Sequence, residues 1–370
     1  MTPHLPSLCR RLALPLLLSP LLAHAAPLYS MTIVADHMVR GLGVMNNAGD
    51  MAFMFDTYAP NYSTHTVVYQ NGTATELAGF GGKVTSAYAI NNSGAAVGSS
   101  RYADSTGHAF VYKNGIMTDL TPGAVYERSN ANGINDAGQI VGHLSTSGPN
   151  QGFLYQNGSL SVLPELDIAN GINNHGEIIG SRSVNGDSQA VTYKNGAVTD
   201  VITVAGGQYQ TALAINDSGQ VMGSYDTVVG GVHRSFIYEN GVGTDLGSLY
   251  SPYGNTLAHG LNNFGEVVGG SFEDIGADSA GHGFIYSKGQ MTDLNSLIDP
   301  VQGWKIVDGA SINDHHQILV SLCKADDHWD CRAARLDLTS PVPEPETYAM
   351  LLSGLGLLGW SARRKARKTA

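Results

Sequence analysis

The stretch GINDAGQIVG, Gly133–Gly142, is followed 38 residues on by GINNHGEIIG, Gly171–Gly180. The phrase recurs as VMNNAGDMAF from Val44, AINNSGAAVG from Ala89, AINDSGQVMG from Ala214 and GLNNFGEVVG from Gly260, with a worn copy, SINDHHQILV, from Ser311. The first Asn of each copy stands at 46, 91, 135, 173, 216, 262 and 313, so 267 residues cover six steps and the mean period is 44.5 residues. A period of that size marks a propeller or solenoid unit.

A second phrase follows each of the first six copies: HTVVYQNG from His65, HAFVYKNG from His108, QGFLYQNG from Gln151, QAVTYKNG from Gln189, HRSFIYENG from His233 and HGFIYSKG from His282. Most are closed by a Thr-Asp-Leu-like ending, such as MTDL from Met117 and from Met291. Asn-x-x-Gly between apolar pairs suits a turn whose Asn accepts from its own backbone and whose Gly takes positive φ. Asn-Gly between apolar runs is the signature of a type I′ hairpin. Each unit thus reads as strand a, tight turn, strand b, open loop, strand c, Asn-Gly turn, strand d. Consecutive apolar residues in strand c, as in Phe110-Val111-Tyr112, predict burial on both faces, which neighbouring sheets would provide.

The expected fold is therefore all-β: a seven-bladed β-propeller of four-stranded antiparallel blades. The stretch Tyr29 to Val34 looks like a strand d without its own blade, and the last unit lacks one, so the N-terminal strand is expected to close the ring. An open β-solenoid is the rival reading.

Both ends of the chain read as addresses. Arg10 and Arg11, the apolar run Leu12 to Leu22 and Ala23-His24-Ala25 have the order of a secretory signal peptide. Cleavage is expected after Ala25, with export by the Sec machinery. At the other end, an uncharged, mostly apolar stretch at 347–362 is followed by a basic tail at 363–370. It predicts a short transmembrane helix with the tail cytoplasmic. The propeller then occupies 26–338, and a linker occupies 339–346.

The formal net charge is −11, from 20 basic and 31 acidic residues. Without the seven basic residues of the two ends it is −18, which argues against nucleic acid and anionic membranes as partners. Cys323 and Cys331 survive signal removal, and eight residues apart in an exported chain they are expected to form a disulfide.

His108-Ala109-Phe110 beside the Asn-Asp-x-Gly-x-Ile-Val-Gly phrases resembles the HAF family of extracellular repeat proteins, over roughly Asn46 to Leu338. Gly303-Trp304 ahead of Ala310-Ser311-Ile312-Asn313-Asp314 is similar to that family's last repeat. The first unit departs, with Thr66-Val67 for Ala-Phe, and the seventh has His316 where Gly normally stands. The tail, with Val342-Pro343-Glu344-Pro345, an apolar helix and an arginine cluster, resembles the PEP-CTERM sorting signal. That resemblance implies recognition through Pro343, Glu344 and Pro345 by an exosortase in a Gram-negative envelope, a transient inner-membrane anchor, and a link to exopolysaccharide and biofilm matrix.

No zinc-protease, nucleophile-elbow, phosphate-loop or EF-hand motif is present, so no catalytic residue, metal or cofactor is expected. His65, His108, His233 and His282 open strand c in four units and read as structural hydrogen-bonding groups. The b–c and d–a loops vary most, and binding sites sit on such loops above rigid scaffolds. The d–a segments hold Phe80, Tyr126, Tyr209, Tyr250, Tyr253 and Trp304, and the b–c loops hold or adjoin Asp56, Asp104, Asp187, Asp226, Asp274 and Asp326. Of these, Tyr126, Tyr209, Tyr253, Trp304, Asp104, Asp226 and Asp274 are the candidate carbohydrate contacts. The expected role is binding or structural, with exopolysaccharide as ligand, and not enzymatic; a polysaccharide-degrading glycosidase or lyase on the same scaffold is the alternative.

Overall fold

Strand pairing in the computed structural model follows the repeat. The structure describes residues 28–36, 43–57, 62–123, 126–145, 147–202, 204–227, 231–250, 253–273, 281–325, 327 and 330–339, all within one compact unit, Pro27–Ser340. The signal segment, Asp274, Asp326, the sorting motif and the stretch 347–362 lie outside the described residues. Among the described residues no helix is long and apolar enough to cross a membrane.

In repeat 2 the four strands are Thr85–Ile90, Ala96–Arg101, Gly107–Lys113 and Ile116–Asp119, paired antiparallel in chain order. Repeats 1, 4, 5 and 6 form four-stranded sheets with the same order. Repeats 2 and 3 share an eight-stranded sheet, because one parallel bridge, Arg128 to Gly107, joins two four-stranded meanders. Repeat 7 supplies three strands, Trp304–Ile312, Ile318–Lys324 and Cys331–Leu338, and Tyr29–Ala35 pairs antiparallel with the last of them, from Tyr29 opposite Leu338 to Ala35 opposite Ala333. Cys323 and Cys331, opposite each other on two of these strands, are joined by a disulfide.

The turn chemistry explains the repeated phrase. Asn173 Oδ1 accepts from His175 N and Glu177 N at 3.1 and 3.0 Å, and Asn216 and Asn313 do the same in their turns. The turn glycines Gly138, Gly176 and Gly219 take φ of 71° to 79°; His316 adopts 58° in repeat 7, a backbone region that suits Gly far better than His. The Asn amide has a second task. Each Nδ2 donates to the backbone carbonyl of the equivalent Asn in the next repeat, from Asn46 to Asn91 through to Asn262 on Asn313, and Asn313 returns to Asn46. These seven bonds span 2.9 to 3.3 Å and their donors are buried.

A second cycle runs beside the first. The backbone N–H of the residue after each Asn donates to the side-chain oxygen of its counterpart in the next repeat, at 2.8 to 2.9 Å in all seven cases. Those counterparts are Asn47, Asn92, Asp136, Asn174, Asp217, Asn263 and Asp314, so Asn amides flank each carboxylate. Asp217 Oδ2, for example, accepts from Asn174 and Asn263. Together they line a cavity of about 180 Å³.

The closing Gly of the phrase answers a steric demand. Strand a skips one residue in its register at Tyr88, Asn132, Asn170, Leu213, His259 and Ala310, a β-bulge at the same place in six repeats. Opposite it, a Cβ on Gly98, Gly142, Gly180, Gly223 or Gly269 would lie 1.9 to 2.2 Å from a strand-a carbonyl oxygen. In repeats 1 and 7 the glycine changes strands: Gly43 faces Phe53 and Gly309 faces Val320. That exchange accounts for the departures of VMNNAGDMAF and SINDHHQILV at their tenth position. Between sheets, Phe110, Phe153, Phe236 and Phe284 of strand c are fully buried, each removing enough apolar area to contribute about 2 kcal/mol or more.

Candidate functional site

In repeat 2, His108 near the start of strand c reaches diagonally to Asp119 at the end of strand d, Nδ1 to Oδ2 at 2.9 Å. The other Asp119 oxygen accepts from Thr121 N at 2.8 Å and so caps the exit of the strand. The same pair, eleven residues apart, occurs as His65–Glu76 at 2.7 Å and His282–Asp293 at 2.5 Å. The acid of the Thr-Asp-Leu ending is thus an anchor for the His of strand c.

His233 breaks the pattern. It stands seven residues before Asn240, whereas His65 and His108 stand six before their hairpin Asn. Arg234, buried, takes the equivalent place, and His233 turns instead to Asp226 on strand b at 2.8 Å. The four histidines look equivalent at the opening of strand c, but the extra residue in HRSFIYENG leaves only three of them in equivalent places.

Around the repeat 2 pair lies a cleft of about 340 Å³ lined by Tyr102, Asp104, Thr106, His108, Asp119, Pro122, Gly123 and Tyr126. The Tyr102 hydroxyl donates to Asp119 Oδ2 at 2.9 Å. Its ring stacks on Phe80 with centroids 5.0 Å apart and meets the His108 ring edge-on at 5.0 Å. Burial, then the hydrogen bond to Asp119 and the charges of Asp119 and Asp104, push the Tyr102 phenol above its ordinary pKa. Asp104 Oδ1 accepts from the hydroxyl and the backbone N–H of Thr106 at 2.6 and 2.9 Å, and these bonds hold its carboxyl below the usual range. The cleft offers aromatic surface beside carboxylate acceptors, a combination that takes the apolar face and the hydroxyls of a polar ring.

Of the candidates named from sequence, Tyr126 and Asp104 come together in this cleft. Tyr209 and Tyr253 are 78% and 70% exposed, on repeat 5 and on the segment leading into repeat 6. Tyr209 holds φ at 50° within an irregular stretch of strand a. Asp226 is occupied by His233. Trp304 is half-buried against the core of repeat 7, with the Arg332 guanidinium 4.3 Å from its ring centroid. Asp56 lies within strand b of repeat 1. The b–c connection of repeat 4 is no open loop but a tight Asn185-Gly186 hairpin turn with φ of 55° and 91°. Sequence reasoning missed Tyr102, Thr106 and Asp119, although the recurring Thr-Asp-Leu ending was a signal for Asp119. Among the described residues no three His, Cys, Asp or Glu side chains gather as a metal's ligand set.

Residues 341–365 match the PEP-CTERM protein-sorting motif, which marks the chain as exported and sorted to the cell surface by an exosortase. No curated protein sequence matches the chain. Among solved structures it is similar to the β-propeller domain of the Trilobed protease from Pyrococcus furiosus, described as having an open velcro topology. Identity is 10% and the TM-score 0.55, over 84% of this chain and 99% of that one. It is also similar to a puromycin-hydrolysing peptidase of Mycobacterium tuberculosis, at 12% identity and a TM-score of 0.52, over 85% of this chain. The chain spans about half the length of that peptidase, 52%. The expectation of a non-enzymatic protein is corrected by these likenesses, because solved propellers of this form belong to a protease and a peptidase. At such identities the likeness establishes the fold: the chain is an all-β protein of the β-propeller type.

Proposed function

We propose that the chain is a HAF-type propeller of seven blades, closed into a ring by its N-terminal strand, that binds exopolysaccharide at the cell surface or in the surrounding matrix. The unbroken cycle of seven Asn amide bonds and the pairing of Tyr29–Ala35 with Cys331–Leu338 support the ring. In this reading the signal peptide 1–25 is cut after Ala25, the helix at 347–362 anchors the chain briefly, and Pro343-Glu344-Pro345 is read by the exosortase.

The observation that carries the binding role is the repeat 2 cleft, where Tyr102 and Tyr126 border Asp104 and Asp119. A clustered pair of carboxylates also favours a second reading, a polysaccharide-degrading enzyme on the same scaffold. One experiment separates them: size-exclusion chromatography of the producing cell's exopolysaccharide with and without the purified chain. Co-elution with polymer of unchanged length, lost in Tyr126→Ala and Asp104→Ala, supports binding. Polymer shifted to shorter lengths supports the enzyme. If neither protein nor polymer moves, this glycan is not the ligand.

A further inference from the structure

A second cluster of titratable groups lies at the junction of repeats 6 and 7, apart from the cleft of repeat 2. Lys305, half-buried on the first strand of repeat 7, places Nζ 2.5 Å from His282 Nε2. His282 Nδ1 in turn lies 2.5 Å from Asp293 Oδ2. Two cationic nitrogens cannot share such a contact, since each would present only donors. With Nδ1–H directed at Asp293, Nε2 is the free lone pair, and the Lys305 ammonium donates to it. The chain Asp293, His282, Lys305 is therefore a carboxylate, an oriented imidazole and a proton-bearing nucleophile in the order that activates nucleophiles elsewhere in enzymes.

The neighbours suit the same role. The His282 and Asp293 side chains are 30% and 28% exposed, so solutes reach the dyad. Tyr250 meets the His282 ring edge-on at 5.7 Å. Burial, then the charges of Glu273 and Asp293, push its phenol up. Lys305 is pushed down by burial, against the opposing charge of Asp293. On the same strand, Asp308 is turned to His259 at 3.3 Å. Across the sheet Lys305 faces Cys323 of the disulfide.

We propose that Lys305, relayed through His282 to Asp293, is a reactive amine that condenses with the carbonyl group of neutral aldehydes and ketones, the open-chain form of a reducing sugar among them. His282 Nε2 takes one proton from the Lys305 ammonium, and the freed Nζ lone pair attacks the carbonyl carbon as the C=O π pair moves onto oxygen. The imidazolium returns its proton to that oxygen. One of the two hydrogens left on Nζ departs with that hydroxyl as water, and the other stays on nitrogen, so the product is a protonated imine that carries the charge of the original ammonium and can pass its proton to His282 Nε2. No oxidant or reductant is needed. The carboxylates of Glu273 and Asp293 favour a neutral carbonyl compound over an anionic one.

The test is reductive trapping on the full chain. Glyceraldehyde and cyanoborohydride are added at pH 7.5, and labelled lysines are mapped by peptide mass spectrometry, with Lys113 and Lys288 as exposed internal controls. Lys305 is expected to label about tenfold faster than either control, because burial favours its neutral amine and the His282 lone pair accepts the ammonium proton. In His282→Gln the Lys305 rate should drop to that of the controls, whose own rates stay unchanged. Lys305 labelling no faster than Lys113 in the unaltered chain overturns the proposal without any variant. Fast labelling that persists in both His282→Gln and Asp293→Asn removes the relay, and with it the proposal as stated.

Discussion

At the turns between strands a and b, all seven repeats make the same cross-repeat bonds with the same Asn atoms. At the opposite ends of the strands they part company. Repeat 2 builds a cleft with Tyr102 and Asp104, repeat 4 makes a tight Asn185-Gly186 turn, and repeat 5 diverts His233 to Asp226. The turn side commits its polar side chains to neighbours: every Asn amide and every following Asn or Asp is bonded across to the next repeat. Side chains already spent on one another have little left for a ligand. The loop side keeps its anchors, the His–acid pairs, and varies what surrounds them.

The deepest break in this comparison is Asn216→Ala. It removes the acceptor for Ser218 N and Gln220 N and the donor to the Asn262 carbonyl together. Buried groups left without partners cost about 1–3 kcal/mol each where water does not replace them, so the loss should be about 3 kcal/mol in chemical denaturation. A change within roughly 0.5 kcal/mol would mean that the cycle is ornamental. Gly142→Ala should cost about 2 kcal/mol, because its Cβ would lie 1.9 Å from the Asn130 oxygen and 2.8 Å from the Phe153 ring. Gly138→Ala, with nothing within 4 Å, isolates the φ contribution alone and should cost about 1 kcal/mol.

On the loop side, Tyr126→Ala should weaken glycan retention about tenfold, roughly 1.4 kcal/mol of binding, with thermal stability lowered only modestly because the ring is half-buried. Equal loss of stability and of retention would make Tyr126 a packing residue and nothing more. Asp217→Asn sharpens the turn side further. The new amide would meet the Asn174 and Asn263 amides, donor against donor, so an isosteric and charge-removing change should destabilise by about 1 kcal/mol. A stabilising result would show that repulsion among Asp136, Asp217 and Asp314 outweighs their amide bonds.

How much of this was legible depends on range. Asn-x-x-Gly and Asn-Gly act within four residues, so the chain itself carries the turn geometry and hence the strand order. The second task of Asn46 or Asn173 is not legible, because its partner lies 45 or 43 residues on and is set by how sheets pack. The cleft is intermediate. Tyr126 and Asp104 were visible as an aromatic and a carboxylate in variable segments, but Tyr102 and Asp119 enter through contacts seventeen residues apart. The His233 slip of one residue was countable from Asn240, yet its consequence, a change of partner from strand d to strand b, needed the register. The closing Gly of each phrase was plain to see, and its reason was not: a bulge on the opposite strand leaves no trace in strand b's own letters.

The smallest expected effect separates two imidazoles beside that bulge. His143 on strand b of repeat 3 is held by burial below the ordinary histidine pKa, with Asn130 and Asn132 amides at 3.1 and 3.3 Å from its ring nitrogens. His259, the bulge residue of repeat 6, is pushed down by burial but raised more by the Asp308 charge and hydrogen bond, so it stands above the ordinary value. The signs are opposite. A depressed folded-state pKa contributes stability above the unfolded value, near 6.5, that is lost as pH falls through the folded value; a raised one contributes stability below about 6.5 that is lost as pH rises through it. Denaturation midpoints of His143→Gln and His259→Gln, each taken against the unaltered chain between pH 5 and 8, should therefore diverge in opposite directions. The His259→Gln penalty should be largest at the acid end and the His143→Gln penalty largest at the neutral end. Parallel curves would mean that the Asp308 contact at 3.3 Å does not favour the charged form of His259 in the folded chain.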